Sequence, residues 1–319
     1  MNIERYEIRD PTTGLMIAVS RAEPNHRRSK VPIVYMHGGT FPSELAVGYR
    51  FDGVSWRDCM LDTGREVWAF DFLGFGASGR FPAMSASPIG IAPLGRTPEA
   101  SAQLAAVVSQ VLQTTGQPRV ALIAHSWGTM AAGKFAGEHP QEVERIVFFA
   151  PIVERRPAGE AASPGTSSAA LGAAAQLPAW MPMTLAAQFK RFTEDVPHDH
   201  APVLSQAHFD VWGAGYLATD PIGGRETPPS VHVPLGPVAD IRTAWHGHLS
   251  YDPSLIKAPL RIVRGEWDSL SNDADAAWLI GKLGSSTKDD AKLAAGTHLM
   301  HLEEGRTRVY AATESWLSA

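Results

Sequence analysis

Ser126 stands in the pentad Ala124-His125-Ser126-Trp127-Gly128. Residues 119–124 before it form a near-continuous apolar run, the pattern of a strand buried on both faces. The stretch after it, to about residue 139, reads as a helix. Small residues two before and two after a serine permit the sharp strand-to-helix turn that lifts the hydroxyl off a sheet. Ser126 is therefore a candidate nucleophile rather than a helix cap. A serine hydroxyl attacks well only when a base takes its proton, and a carboxylate orients that base. Downstream, Arg264-Gly265-Glu266-Trp267-Asp268 closes another apolar strand, where sheets present functional groups. Asp268, 142 residues after Ser126, is the candidate acid, with Glu266 as its rival. Gly296-Thr297-His298 reads as a turn 30 residues later and makes His298 the candidate base. His301 is the rival base, expected to begin the last helix.

Acyl chemistry at a serine also needs fixed donors for the oxyanion that develops. The N–H of Trp127, which follows the nucleophile, is one candidate. The second is expected from the loop His37-Gly38-Gly39-Thr40 at the end of an upstream strand, with Gly39 the first choice and Thr40 the second. His37 and His125 read as structural histidines. His198-Asp199-His200 lacks a third ligand at a set spacing and reads as no metal site. Arg155-Arg156 and Lys190-Arg191 read as solvated charges.

The elements that must position these residues alternate between short β-type runs and helical patterns, which argues for βαβ units and a mostly parallel sheet. Residues 6–10 and 15–20 form an opening hairpin about Gly14. Residues 31–36 and 66–72 read as strands, 55–62 as a helix, and 98–115 as the clearest helix, with Thr97 as N-cap, Pro98 at the first position and Gly116 past the end. Residues 145–151 form another buried strand. The rhythm breaks at residue 152 and resumes at Pro259. Residues 1–151 and 258–319 thus form one core, and 152–257 an insertion. That insertion begins with an Ala-, Ser- and Gly-rich stretch at 158–175 and holds many aromatic residues among Pro and Gly. It shows few strand signals and reads as mostly helical, a lid over Ser126 with Trp180, Phe209 or Trp212 near the substrate. The last core strand is expected at 288–293, although Asp289-Asp290-Ala291-Lys292 is a weak strand signal, and a final helix at about 302–317.

Composition narrows the classes. The 319 residues are 44% hydrophobic and 19% charged, which excludes a disordered chain. The net charge of −5 offers no general footprint for nucleic acid or anionic lipid. The insertion itself carries 7 Lys/Arg against 10 Asp/Glu. A single cysteine, Cys59, can form no internal disulfide and reads as a small buried hydrophobe. No run of about 18 apolar residues offers a membrane span, and the N-terminal residues lack an apolar leader core, so a cytoplasmic protein is expected.

These pieces together resemble the α/β-hydrolase superfamily over essentially the whole chain. The resemblance rests on His37-Gly38-Gly39, Asp71-Phe72-Leu73-Gly74-Phe75-Gly76-Ala77-Ser78, the Ser126 pentad, Gly265-Glu266-Trp267-Asp268, and Gly296-Thr297-His298 with Glu303. Ala124 departs from the glycine usual at its position. The resemblance implies an α/β-hydrolase fold, with a mainly parallel eight-stranded sheet, helices on both faces and an inserted lid. It implies Ser126 as nucleophile, Asp268 as acid and His298 as base, with no cofactor. A serine disfavours the haloalkane dehalogenases and epoxide hydrolases of the superfamily, which use aspartate there. Gly39-Thr40-Phe41-Pro42 lacks the Pro-Gly continuation of proline iminopeptidases. The expectation is a serine hydrolase cleaving a carboxylic ester or related acyl bond of a small to medium, largely apolar substrate. Amidase, lactonase, thioesterase and carbon–carbon-bond hydrolase activities share the same triad. A ligand-binding receptor with a vestigial triad is the reading from another class.

Overall fold

The structure, a computed structural model, describes residues 3–29, 31–156 and 177–319. The Ala-, Ser- and Gly-rich stretch at 158–175 lies outside the described residues. Eight strands form the main sheet: β1 (Ile3–Arg9), β2 (Met16–Ala22), β3 (Ile33–Met36), β4 (Val67–Phe70), β5 (Val120–His125), β6 (Val143–Phe149), β9 (Leu260–Gly265) and β10 (Lys288–Leu293). Their order is β1-β2-β4-β3-β5-β6-β9-β10, antiparallel at β1-β2 and β2-β4 and parallel from β4 onward. This is the mainly parallel eight-stranded α/β fold expected from the alternation of elements.

The central strands β3, β4 and β5 are buried along their whole length, which explains their unbroken apolar sequences. Helices α1 (Trp56–Asp62) and α8 (Thr307–Leu317) pack together on one face. Helices α2 (Thr97–Thr115) and α3 (Gly128–Glu138) pack together on the other. Helix α7 (Asp273–Lys282) sits between β9 and β10 in sequence. Ser55 caps α1 through a reciprocal pair with Asp58. Gly116, at φ +65°, closes α2. Helix α2 begins one residue earlier than its proline suggests. Arg96 is its N-cap, and Thr97 turns its hydroxyl to Asp240 at 2.7 Å instead of capping.

The polar strand β10 forms because it lies at the sheet edge and pairs only with β9. Asp289 stands opposite Arg261 in register and accepts from its guanidinium at 2.6 and 2.8 Å. Asp290 takes Arg264 at 2.7 Å. Cross-strand ion pairs thus supply contacts that apolar residues supply in the centre.

Between β6 and β9 lie α4 (Leu185–Thr193), α5 (Gln206–Ala218) and α6 (Gly236–Ala244). Helices dominate, as expected, but a separate antiparallel pair, β7 (Trp180–Thr184) with β8 (Ser230–Pro234), adds sheet that the sequence pattern does not announce. Pro182 and Pro234 read as strand breakers, yet in a two-stranded ribbon every strand is an edge, where a missing N–H is tolerated. The final helix starts at Thr307, later than expected. His301 therefore sits in a single 3₁₀ turn, Met300–Leu302, and not in the last helix.

Candidate active site

The turn from β5 into α3 holds Ser126 at φ +55°, a left-handed conformation that costs a non-glycine residue energy. Its N–H donates to the Phe149 carbonyl at 2.9 Å. The turn is tight: a Cβ at Gly128 would stand 2.4 Å from the His37 carbonyl oxygen. Ala124 is fully buried in β5 and meets this geometry without a glycine.

His298 reaches Ser126 from the loop after β10, with its Nε2 2.7 Å from Ser126 Oγ. Its Nδ1 lies 3.0 Å from both carboxylate oxygens of Asp268. One Asp268 oxygen also accepts the N–H groups of Leu270 and Ser271 at 2.9 and 3.0 Å. All three side chains are buried. The loops bearing acid and base are tied together. Trp267 N–H donates to Gly296 O at 2.9 Å, and a Cβ at Gly265 would collide with that oxygen at 2.2 Å. Glu303 takes both the N–H and the hydroxyl of Thr297, the residue before His298. Burial raises Glu303 to about 7. Glu266, the rival acid, instead accepts the N–H of Ala295 at 3.1 Å. The rival base His301 is fully buried, and neither ring nitrogen has a partner among the described residues. It is packed against Phe41, Trp56, Phe149 and His125, and burial lowers it to about 3.

Beside the serine lies the loop after β3. A Cβ at Gly38 would stand 3.2 Å from Ser126 Cβ, and one at Gly39 3.8 Å from Trp127 Cβ. The backbone N–H groups of Gly39, Thr40 and Trp127 have no acceptor among the described residues. His37 shapes this loop. Its Nδ1–H donates to Gly38 O at 2.6 Å and its Nε2 accepts the Phe72 N–H at 3.0 Å, while burial lowers it to about 4. His125, also held neutral by burial, donates Nε2–H to the His298 carbonyl at 3.1 Å. Both histidines position loops, as their structural reading requires.

Trp212 and Phe209 on α5 stack on each other, and Trp212 packs on Phe41 with centroids 5.3 Å apart. Trp180 lies elsewhere. It stacks on His232 and donates its indole N–H to Ala83 O at 3.2 Å. Sequence reasoning missed Asp240 on α6. Its carboxylate receives Trp127 Nε1–H at 3.0 Å along with the N–H and hydroxyl of Thr97. No local motif marks it, because its partners are far away in sequence. Gln188 is missed for the same reason: fully buried, it donates to Thr40 Oγ1 at 3.3 Å. Arg155 and Arg191 depart from their reading as solvated charges. Arg155 pairs with Asp275 at 2.6 Å and lies over the Trp245 ring, and Arg191 is only partly open to solvent. No group of three or more His, Cys, Asp or Glu residues suited to a metal ion occurs among the described residues.

The chain belongs to the alpha/beta hydrolase fold family, whose sequence model matches residues 31–211. No curated protein matches the sequence. Among solved structures, an esterase (EaEST) from Exiguobacterium antarcticum is similar at TM-score 0.66 and 14% identity, over 99% of this chain and 100% of that one. The thioesterase domain from the curacin biosynthetic pathway is similar at TM-score 0.62 and 15% identity, over 100% of each chain. Epoxide hydrolase VrEH1 from Vigna radiata is similar at TM-score 0.62 and 13% identity, over 99% of this chain and 98% of that one. Family and site together make the protein a hydrolase. Among the described residues no helix is long and apolar enough to cross a membrane.

Proposed function

We propose that this hydrolase cleaves a carboxylic ester or related acyl bond through an acyl-enzyme on Ser126. One observation carries the reading: His298 Nε2 stands 2.7 Å from the hydroxyl of a serine held at φ +55°, with its other nitrogen on Asp268. Asp268 keeps the imidazole proton on Nδ1, which leaves Nε2 free to accept the Ser126 proton. Ser126 Oγ then attacks the carbonyl carbon, and the carbonyl oxygen takes the negative charge. The N–H of Trp127 and that of Gly39, with Thr40 next in line, are the donors for that oxyanion; their lack of protein acceptors supports the assignment. His298 returns the proton to the leaving alcohol. Water, deprotonated by the same imidazole, then releases the acid. Asp240 positions the Trp127 ring and with it the donor peptide.

Residues 152–257 form the lid on this reading, and 1–151 with 258–319 the catalytic core. Phe209 and Trp212 line the acyl side, supported by their packing on Phe41 beside the Gly39–Thr40 loop. The enzyme needs no cofactor and acts on a small molecule in the cytoplasm, where its single thiol stays reduced.

The test is labelling with a fluorophosphonate probe, together with turnover of short-chain aryl esters. The probe is expected to modify Ser126 in the wild-type protein. Ser126→Ala is expected to lower kcat by about four to six powers of ten. Wild-type turnover in a folded Ser126→Ala protein refutes the serine mechanism, and an unlabelled Ser126 points to a binding protein with a vestigial triad.

A further inference from the structure

Lys190 and Arg191 lie in the last turn of α4, and the two cations part company. Lys190 is exposed, whereas Arg191 turns inward and its Nε is closed off from solvent without an acceptor. Among the described residues no carboxylate oxygen lies within 4.0 Å of Arg191, and no hydrogen bond is made by it. Burial pushes its guanidinium below the ordinary value, over the more distant pull of Glu194, Tyr216 and Asp195. A guanidinium cannot escape this cost by losing its proton in the physiological range. The C-terminal turn of α4 returns a favourable field, but a smaller one than the cost of removing a cation from water. The helix end therefore does not account for an inward Arg191.

What surrounds Arg191 places it at the candidate active site. Gln188, three residues before it, shares its face of α4, and Phe192 is the next residue along the helix. Gln188 reaches Thr40 Oγ1, and its own Oε1 has no donor among the described residues. Phe192 stacks with Phe41 at 6.3 Å. Tyr216, whose ring also feels the Arg191 charge, donates to the Thr40 carbonyl at 3.2 Å. The charge of Arg191 reaches His125, next to Ser126, and opposes its protonation. A cation without a hydrogen-bond or ion-pair partner among the described residues thus sits on the helix whose Gln188 and Phe192 meet Thr40 and Phe41.

We propose that Arg191 is the specificity-determining cation of the site and that the substrate is an acyl compound bearing a free carboxylate, such as a half-ester of a dicarboxylic acid. The aromatic wall takes the carbon chain. The guanidinium takes the carboxylate through paired N–H donors, the geometry that arginine and a carboxylate share. This inference rests on the serine-hydrolase reading and narrows its substrate: apolar along the chain, anionic at the end.

The experiment compares monomethyl esters of straight-chain dicarboxylic acids with the matching dimethyl esters, by proton release. Wild type, Arg191→Gln, Arg191→Lys and the exposed neighbour variant Lys190→Gln are each measured and each labelled with the fluorophosphonate. At the best chain length the wild type is expected to favour the half-ester in kcat/KM by about tenfold or more, the scale of one charge-assisted contact. Arg191→Gln is expected to erase that ratio through KM, Arg191→Lys to keep part of it, and Lys190→Gln to keep it whole. A wild-type preference for the diester overturns the proposal, as does a ratio unchanged in a labelled, folded Arg191→Gln protein. Absence of labelling in the wild type instead strikes the serine-hydrolase reading itself, and this inference with it.

Discussion

His298 and His301 are three residues apart, carry the same side chain and sit in opposite environments. His298 has a partner on each ring nitrogen, one of them the Ser126 hydroxyl. His301 has none among the described residues and is enclosed by aromatic rings. On the proposed reading the role of base therefore falls to His298 by contact, whatever the similarity in sequence. His298→Ala is expected to abolish ester turnover. His301→Ala is expected to leave a measurable fraction of it and to cost about 1–3 kcal/mol of stability, the range of most single substitutions, because the cavity left is offset by removal of two buried ring nitrogens. Turnover by both variants is compared after denaturant unfolding shows each to be folded. Activity kept in His298→Ala and lost in His301→Ala would reverse the assignment. The pentad around Ser126, the Asp268 turn and the His298 turn are all legible from local sequence, because each needs small residues or a strand end nearby. Arg191 is not legible: a Lys-Arg pair at a helix end has the same local pattern whether it faces water or a pocket.

At the scale of elements, the loop from β10 to the final helix holds His298 in place through a buried carboxyl group, Glu303. Glu303 binds Thr297 and its value is raised from 4.5 to about 7. The folded state thus holds a proton on Glu303 that the unfolded chain releases in the window between those values. Stability from this group is present at low pH and is lost as pH rises from about 4.5 to about 7. Glu303→Gln keeps a neutral acceptor in place. Its denaturation midpoint is expected to change less across that window than the wild type's, so the difference between the two shifts toward the variant as pH rises. Unfolding titrations at pH 4.5, 6 and 7.5 measure it, and parallel curves for the two proteins would contradict this account. Elements with strong periodicity, such as α2 and β5, follow from sequence. Strands β7, β8 and β10 do so weakly, since prolines mark the first two and charges the last. Their stability comes from pairing partners and from Arg261 and Arg264 across the sheet edge.

At the scale of the whole molecule, the region between β6 and β9 meets the core through Phe41, Thr40 and Trp127. Trp212 packs on Phe41, Gln188 and Tyr216 bond to Thr40, and Asp240 holds the Trp127 indole. On the proposed reading these contacts make the insertion a wall of the acyl site. Trp212→Ala and Phe209→Ala are expected to shift preference toward longer acyl chains, with less effect on the type of bond cleaved. Trp180→Ala is expected to leave the profile in place, because its ring packs on His232 and Ala83. A series of aryl esters of increasing chain length reads this out. An unchanged profile in both α5 variants would remove these residues from the acyl site.

The alternation of apolar strands and helices, the strained serine turn and the turns bearing Asp268 and His298 were legible in the sequence alone, since each depends on neighbours within a few residues. A buried strand must be apolar, a sharp turn must have small side chains, and a sheet offers its functional groups where its strands end. The tertiary structure decided what depends on distance through space. It set the order of the strands in the sheet, and it gave Trp127 its partner on α6, 113 residues away. It also turned Arg191 inward while Lys190 stayed in water. Burial and charge pairing are properties of the surroundings a side chain folds into, and those surroundings come from segments far apart along the chain.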